Sequence, residues 1–253
     1  MRYQALTLSV RSGEEMRHLR GGRLAESRQL PGLAAALALL LMVPLLGLAQ
    51  ERKLIDPQLS AWEMNGDGIW TVLKDGTLIG QRPHPGGKTP LAVPFPVDAK
   101  QYSRWLGAQS WLYTKDEFDQ FDLHLEYWLP NGGNSGISIR DSSRGKQSFG
   151  PGDRKTPAHI GYEIQLLDAT EAKNPSGSIY DIAPAPGGLE LKDDWNKLDI
   201  ESRHNLIRVR LNGKVAAESP GAPDRPLQGP IGLQLHDAFS WVLFRNIRLR
   251  VVK

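Results

Sequence analysis

The residues of this chain that could do chemistry are carboxylates, carboxamides, an arginine and an imidazole set at alternate positions of short apolar runs. In YEIQLL (162–167), Tyr162, Ile164 and Leu166 share one side of an extended chain and Glu163 and Gln165 the other, because strand side chains alternate. The same parity in GISIR (136–140) sets Ser138 and Arg140 opposite Ile137 and Ile139. In IGLQLH (231–236) it sets Gln234 and His236 opposite Ile231, Leu233 and Leu235. In FDLHLEYWL (121–129) it sets His124, Glu126 and Trp128 opposite Phe121, Leu123, Leu125, Tyr127 and Leu129. Glu126, Arg140, Glu163, Gln165, Gln234 and His236 therefore read as one polar, non-core face with Trp128 beside them. A half-solvated sheet also carries polar residues outside, but it is ordinarily covered by Lys, Ser and Thr. Carboxylate, guanidinium, carboxamide and imidazole beside an aromatic ring are instead the groups that hydrogen-bond a polyol and stack against it.

Several other chemistries find no support. There is no G-x-S-x-G elbow, the nearest string being GGNSGI (132–137). H-E-x-x-H is absent, and His84, His124, His159, His204 and His236 are scattered. With no cysteine, a disulfide scaffold, a Cys-ligated metal and a thiol nucleophile are excluded. NGDG (65–68) lacks the pattern of a phosphate loop. A mixed Glu/Asp/His site for a divalent cation stays open. Glu163 and Asp168 form the one suggestive carboxylate pair, yet a retaining glycosidase holds its two carboxyls about 5–5.5 Å apart. Five residues of extended strand span about 16 Å, so without a bulge this pair cannot perform ordinary retaining hydrolysis.

The elements that must position these groups are strands. After residue 50 no apolar period of 3.6 persists for three turns, whereas period-two runs recur at 121–129, 136–140, 162–167, 206–212, 231–236 and 242–252. Gly/Pro/Asn/Asp clusters separate them, as in PNGGNSG (130–136), APAPGG (183–188) and SPGAPDRP (219–226), and Asn196 in DWN reads as a turn residue. This is the pattern of an all-β chain, an antiparallel β-sandwich of the jelly-roll kind, in one domain over 50–253. The first 49 residues differ: an Arg-bearing stretch precedes LAAALALLLMVPLLGL (33–48), and small residues precede Gln50. That is the layout of a signal peptide with a long basic n-region, and its sixteen apolar residues, interrupted by Pro44, are short for a bilayer crossing. The expectation is an exported protein, periplasmic or extracellular, with no stable membrane span after cleavage. The net charge of +3 also belongs to this leader, where six Arg face three Glu; the remaining 25 cations and 25 acids cancel. A neutral body gives nucleic acid no electrostatic footprint.

In order along the chain, WLYTKDEFDQFDLHLEYWLPNGGNSGISIR (111–140), GYEIQLLD (161–168), SGSIYDIAPAP (176–186), DWNKLDIESRHNLIRVRLNG (194–213) and GPIGLQLHDAFSWVLFRNIRL (229–249) resemble the successive blocks of the 3-keto-disaccharide hydrolase family. The chain departs from the family pattern at Leu235, where an Asp often precedes the histidine, and at Asp237, where Gly often follows. The resemblance implies a concanavalin A-like jelly roll acting on glycosides whose C3 hydroxyl a separate sugar 3-dehydrogenase has oxidised. A C3 ketone acidifies the C2 proton, so a base can form an enolate, the aglycone leaves C1 by β-elimination, and water adds to the enone. Such a route needs a base, an electrophile at the ketone oxygen and a proton donor, and no retaining carboxylate pair. On this reading His236 or Glu163 is the base, and Asp168 orients His236 or serves as acid. Arg140, Asn134 and Gln165 hold the sugar, Glu126 binds hydroxyls or a cation, and Trp128 is a stacking platform. The alternative is a non-catalytic, lectin-like carbohydrate-binding module, since the same fold and face would bind glycans.

Overall fold

The computed structural model describes residues 51–83, 100, 107–145 and 156–252, which belong to one compact unit, Gly47–Lys253. The expected leader lies outside the described residues. In chain order the strands are β1 (Arg52–Lys53), β2 (Trp62–Asn65), β3 (Ile69–Val72), β4 (Leu78–Gln81), β5 (Ser110–Thr114), β6 (Phe121–Trp128) and β7 (Asn134–Ile139). After a single helical turn, α1 (Pro157–Ile160), come β8 (Tyr162–Leu167), β9 (Asn196–Arg203), β10 (Leu206–Leu211), β11 (Lys214–Ser219), β12 (Ile231–Leu235) and β13 (Trp241–Val251). They form two antiparallel sheets. The larger runs β11-β10-β9-β6-β13-β4-β3 with β1 paired to β13, and the smaller runs β2-β5-β12-β7-β8. Residues around Ile179 extend the smaller sheet beyond β8, with Tyr180 N–H donating to the Glu163 carbonyl and Gln165 N–H to the Ser178 carbonyl, both at 2.9 Å.

The core is the layer between the sheets, and alternation fills it as the sequence predicts. Leu123, Leu125, Tyr127, Leu198, Ile200, Val209, Phe244 and Leu249 project from the larger sheet. They meet Ile137, Ile139, Ile164, Leu166, Leu233 and Leu235 from the smaller one, all of them buried. Each such side chain contributes about 1.5–3 kcal/mol by leaving water, which locks strand parity, since a one-residue slip would turn every one of them outward. The result is the all-β jelly-roll sandwich. Several strands carried no alternation signal. β5 (SWLYT) is buried on both faces, so its apolar residues run together, and β2 to β4 are only four residues each. Asn196, expected in a turn, instead opens β9, and its side chain caps the turn before it, accepting the Leu191 N–H and donating to the Leu191 and Asp194 carbonyls.

Two expectations about the polar face need correction. β6 lies in the larger sheet, between β9 and β13, so the non-core face of Glu126 and Trp128 is the opposite exterior of the sandwich from that of Glu163. Arg140, at the end of β7, has φ of +61°, which breaks the parity of the run and turns its side chain to β9, where Nη2 donates to Ser202 Oγ at 2.9 Å and the Arg203 carbonyl at 2.7 Å.

β7 and β8 also approach closely at Gly161, where a Cβ would lie 2.3 Å from the Ile139 carbonyl oxygen and 2.5 Å from the Asp141 nitrogen. Both neighbours are backbone and cannot rotate away. Gly161→Ala is therefore expected to lower the unfolding free energy by about 1–3 kcal/mol, read as a lower urea midpoint at unchanged slope.

Candidate functional site

The outer face of the smaller sheet carries the polar residues. Register sets Tyr113 beside Gly232, Gly232 beside Ser138 and Ser138 beside Glu163, one row across β5, β12, β7 and β8. The next row holds Trp111 beside Gln234 and Gly136 beside Gln165. One glycine in each row makes room. A Cβ on Gly136 would stand 2.5 Å from Glu163 Oε1, and a Cβ on Gly232 would stand 2.4 Å from the Tyr113 ring. The Glu163 carboxyl and the Tyr113 ring thus lie flat over bare backbone. Tyr113 stacks on Trp111 at 5.5 Å and donates its hydroxyl to Asp141 at 2.7 Å. Asp141 also accepts Ser143 and Gly145 N–H, holding the loop that packs Gly145 against Trp111. This face, expected to be half-solvated, is enclosed: Ser138, Glu163, Gln165 and Gln234 are each no more than 5% exposed.

Enclosure fixes the electrostatics. Burial pushes the Glu163 carboxyl up from 4.5 to about 8, opposed only by the neighbouring Gln234 carboxamide. No cation pairs with it among the described residues, and a lone buried carboxylate costs several kcal/mol, so the group is held neutral at pH 7 as a proton donor. Around it, Gln165 Oε1 is buried without a hydrogen-bond partner among the described residues, and the approaches of Gln234 to Glu163 and of Ser138 to Tyr113 fall short of good hydrogen-bond geometry. Each such group costs about 1–3 kcal/mol. A polar surface kept unsatisfied inside a fold is what a hydroxylated ligand would complete.

His236 follows β12 on the same side of the sheet, one register step beyond Gln234, at the end where Asn134 pairs with Leu167. Asn134 Oδ1 accepts from Gln165 Nε2 at 3.4 Å. The His236 ring is part-exposed, and its Nδ1 lies 3.3 Å from Asp237 Oδ2. Burial raises the Asp237 pKa, but the Phe239 N–H and His236 outweigh it and bring it below the usual range, so the group is a carboxylate. An acceptor at Nδ1 places the imidazole proton there and leaves Nε2 as a base. Sheet spacings put the His236 and Glu163 Cα atoms about 13 Å apart along the strands and about 10 Å across them. By register, Gln234, Gln165 and Asn134 lie between the two residues, whose side chains do not touch.

The structure brings Glu163, Gln165, Asn134 and His236 to this face and takes four other expected residues elsewhere. Asp168 ends β8 with no bulge toward Glu163. Its Oδ2 accepts Gly132 N–H at 3.0 Å, and it lies near Lys192 and the half-buried Glu190 at the end of the sandwich. The carboxylate beside His236 Nδ1 is Asp237 and not Asp168, and sequence reading noted Asp237 only as a departure from the family. Glu126 pairs with Arg245 at 2.6 Å on the far sheet. Desolvation is outweighed there by that arginine, and the carboxyl sits below its usual range. Trp128 packs on Trp241 at 5.1 Å on that same exterior. Arg140 is the strut described above. Among the described residues no group of three His, Asp or Glu side chains is placed to hold a metal ion.

Comparison with known proteins places this geometry in a lineage. A profile of the 3-keto-alpha-glucoside-1,2-lyase-like domain matches residues 51–250. The chain belongs to that family. It is 24% identical over 234 residues to a 3-keto-disaccharide hydrolase of Bacteroides thetaiotaomicron, covering 75% of this chain and 80% of the relative. A candidate glycosyl hydrolase from Parabacteroides distasonis superposes with a TM-score of 0.58 at 22% identity, over 80% of this chain and all of that one. A galectin-like protein of unknown function from Bacillus subtilis gives 0.53 at 15% identity over 79% of this chain and 94% of that one, a likeness of fold alone.

Because Glu163 binds its proton more tightly folded than unfolded, the folded state holds the extra proton between pH 4.5 and about 8. Its contribution to stability therefore falls as pH rises across that window, by up to about 1.4 kcal/mol per unit, and is fully lost above it. Glu163→Gln, which mimics the neutral carboxyl, is expected to flatten this decline and to raise the melting temperature above wild type near pH 9. Parallel pH–stability curves for the two proteins would show the carboxyl ionised throughout.

Proposed function

We propose that this protein cleaves 3-keto-glycosides, with the enclosed face of the smaller sheet as its active site. The reading rests on a neutral carboxyl, Glu163, set among incompletely satisfied carboxamides on the same side of the sheet as a part-exposed imidazole. His236 Nε2 removes the C2 proton, and the C–H electron pair becomes the C2–C3 double bond of an enolate. The ketone oxygen takes up the negative charge against the Glu163 hydroxyl and Gln234 Nε2, donors buried where such contacts are strong. Collapse of the enolate forms the C1–C2 double bond and expels the C1 oxygen, which leaves as an alcohol after taking one proton. Water then adds to C1 and a proton returns to C2, so the sum is hydrolysis. Gln165 and Asn134 bind sugar hydroxyls. A protonated carboxylic acid acting as donor to an enolate has precedent in enzymes that keep an acid neutral by apolar burial. A sugar 3-dehydrogenase supplies the substrate, and the leader directs the protein out of the cytoplasm.

The test compares aglycone release from a 3-keto-glucoside and its unoxidised parent. Only the keto compound is expected to turn over, with kcat/KM falling above about pH 8 as Glu163 ionises. Glu163→Gln should lose that limb and slow the reaction about 10²–10³-fold, and His236→Ala should slow it as well. Equal cleavage of both glycosides, or full rate in both variants, overturns the proposal; glycan affinity without turnover assigns a binding module instead.

A further inference from the structure

Arg140 and Arg225 form a second polar feature that the keto-sugar face does not use. Arg140 is 1% exposed; its Nη2 donates to Ser202 and the Arg203 carbonyl, and the Tyr162 hydroxyl also interacts with it. Its Nε is buried with no partner among the described residues. The nearby Asp119 is engaged at 2.6 Å by His204. Arg225 donates from Nη1 to the Ala158 and Gly161 carbonyls and likewise meets no carboxylate among the described residues. The two guanidiniums share one aromatic ring: their central carbons lie 5.8 Å (Arg140) and 4.9 Å (Arg225) from the centre of Tyr162. Both line a cavity of about 260 Å³ walled by His204, Asn205 and the Pro220–Pro223 turn.

Arginine cannot relieve burial by losing its proton. Burying a guanidinium whose nearest carboxylate is shared with His204 is unfavourable, and contact with a tyrosine ring offsets only part of that. A second guanidinium on the same ring adds repulsion. Among the described residues the carboxylates at hand are Asp119, which attracts Arg140 but is held by His204, and the exposed Asp224, which pairs with neither arginine. We propose that this cavity binds a small oxyanion, a carboxylate or phosphate group, between Arg140 and Arg225. The fork of donors on each arginine suits two oxygens of such a group, and a cavity just below the usual 300–1,000 Å³ of organic-ligand sites suits an inorganic ion or a short acid.

The full chain is titrated with inorganic phosphate, acetate and gluconate, with chloride at matched ionic strength as control, following melting temperature and calorimetric heat. Saturable binding of at least one oxyanion at millimolar concentration is expected, with no response to chloride. The phosphate and carboxylate arms identify the group. Arg225→Met should weaken binding at least tenfold while leaving cleavage of a 3-keto-glucoside unchanged, because Arg225 does not reach the Glu163 face. If that variant fails to fold, Arg225→Lys keeps the charge but loses the fork, and should weaken binding severalfold. No saturable binding in wild type, or undiminished binding in the variant that folds, overturns the proposal.

Discussion

An unpaired carboxyl group enclosed on a β-sheet is the constraint around which this structure is organised. Glu163 is 5% exposed and has no cation beside it among the described residues, and ionising such a group is costly. The sheet meets this by holding the proton on the carboxyl. Bare backbone at Gly136 lets the side chain lie flat, Ser138 and Gln234 neighbour it without charge, and Tyr113 and Trp111 close the same face. Remove the glycine and the carboxyl must stand up; open the aromatic wall and water would let it ionise.

Most charged groups elsewhere are treated in the opposite way. On the exterior of the larger sheet, Asp122, Glu126 and Glu201 each meet arginine, and His124 meets Asp199, in cross-strand pairs. Such partly solvated pairs add little stability individually, but they leave that exterior electrostatically settled. The contrast between a sheet face whose charges are mostly paired and one whose polar groups are not is what favours the smaller sheet as the proposed working surface. Arg140 is another exception: among the described residues its Nε has no partner.

How much of this was legible in the sequence follows from what alternation can and cannot encode. Parity assigned the core residues of β6, β7, β8 and β12 and the outward turn of Glu163, Gln165 and Gln234, because burial of Ile and Leu fixes which way a strand faces. It could not tell which sheet a strand joins. Glu126 and Trp128 share the outward parity of Glu163 but lie on the other side of the molecule, since β6 pairs with β9 and β13. Nor could it register the positive φ that swings Arg140 away, or the loop that Asp141 folds over the face. The carboxylate beside His236 is Asp237, one residue on, where the expectation drawn with the family resemblance was Asp168. The proposed choice of His236 over Glu163 as base rests on burial, a property of the assembled sheet that no local pattern carries.

The central claim is that Glu163 is a neutral acid at physiological pH. It is tested most directly by following the side-chain carboxyl carbon of Glu163 in protein labelled with ¹³C at that position, assigned by its loss in Glu163→Gln, through a pH titration. The structure predicts a single transition near pH 8. A transition near the ordinary glutamate value of about 4.3 would show a carboxylate on this face at pH 7, and the account of the site built on a buried proton donor would fail.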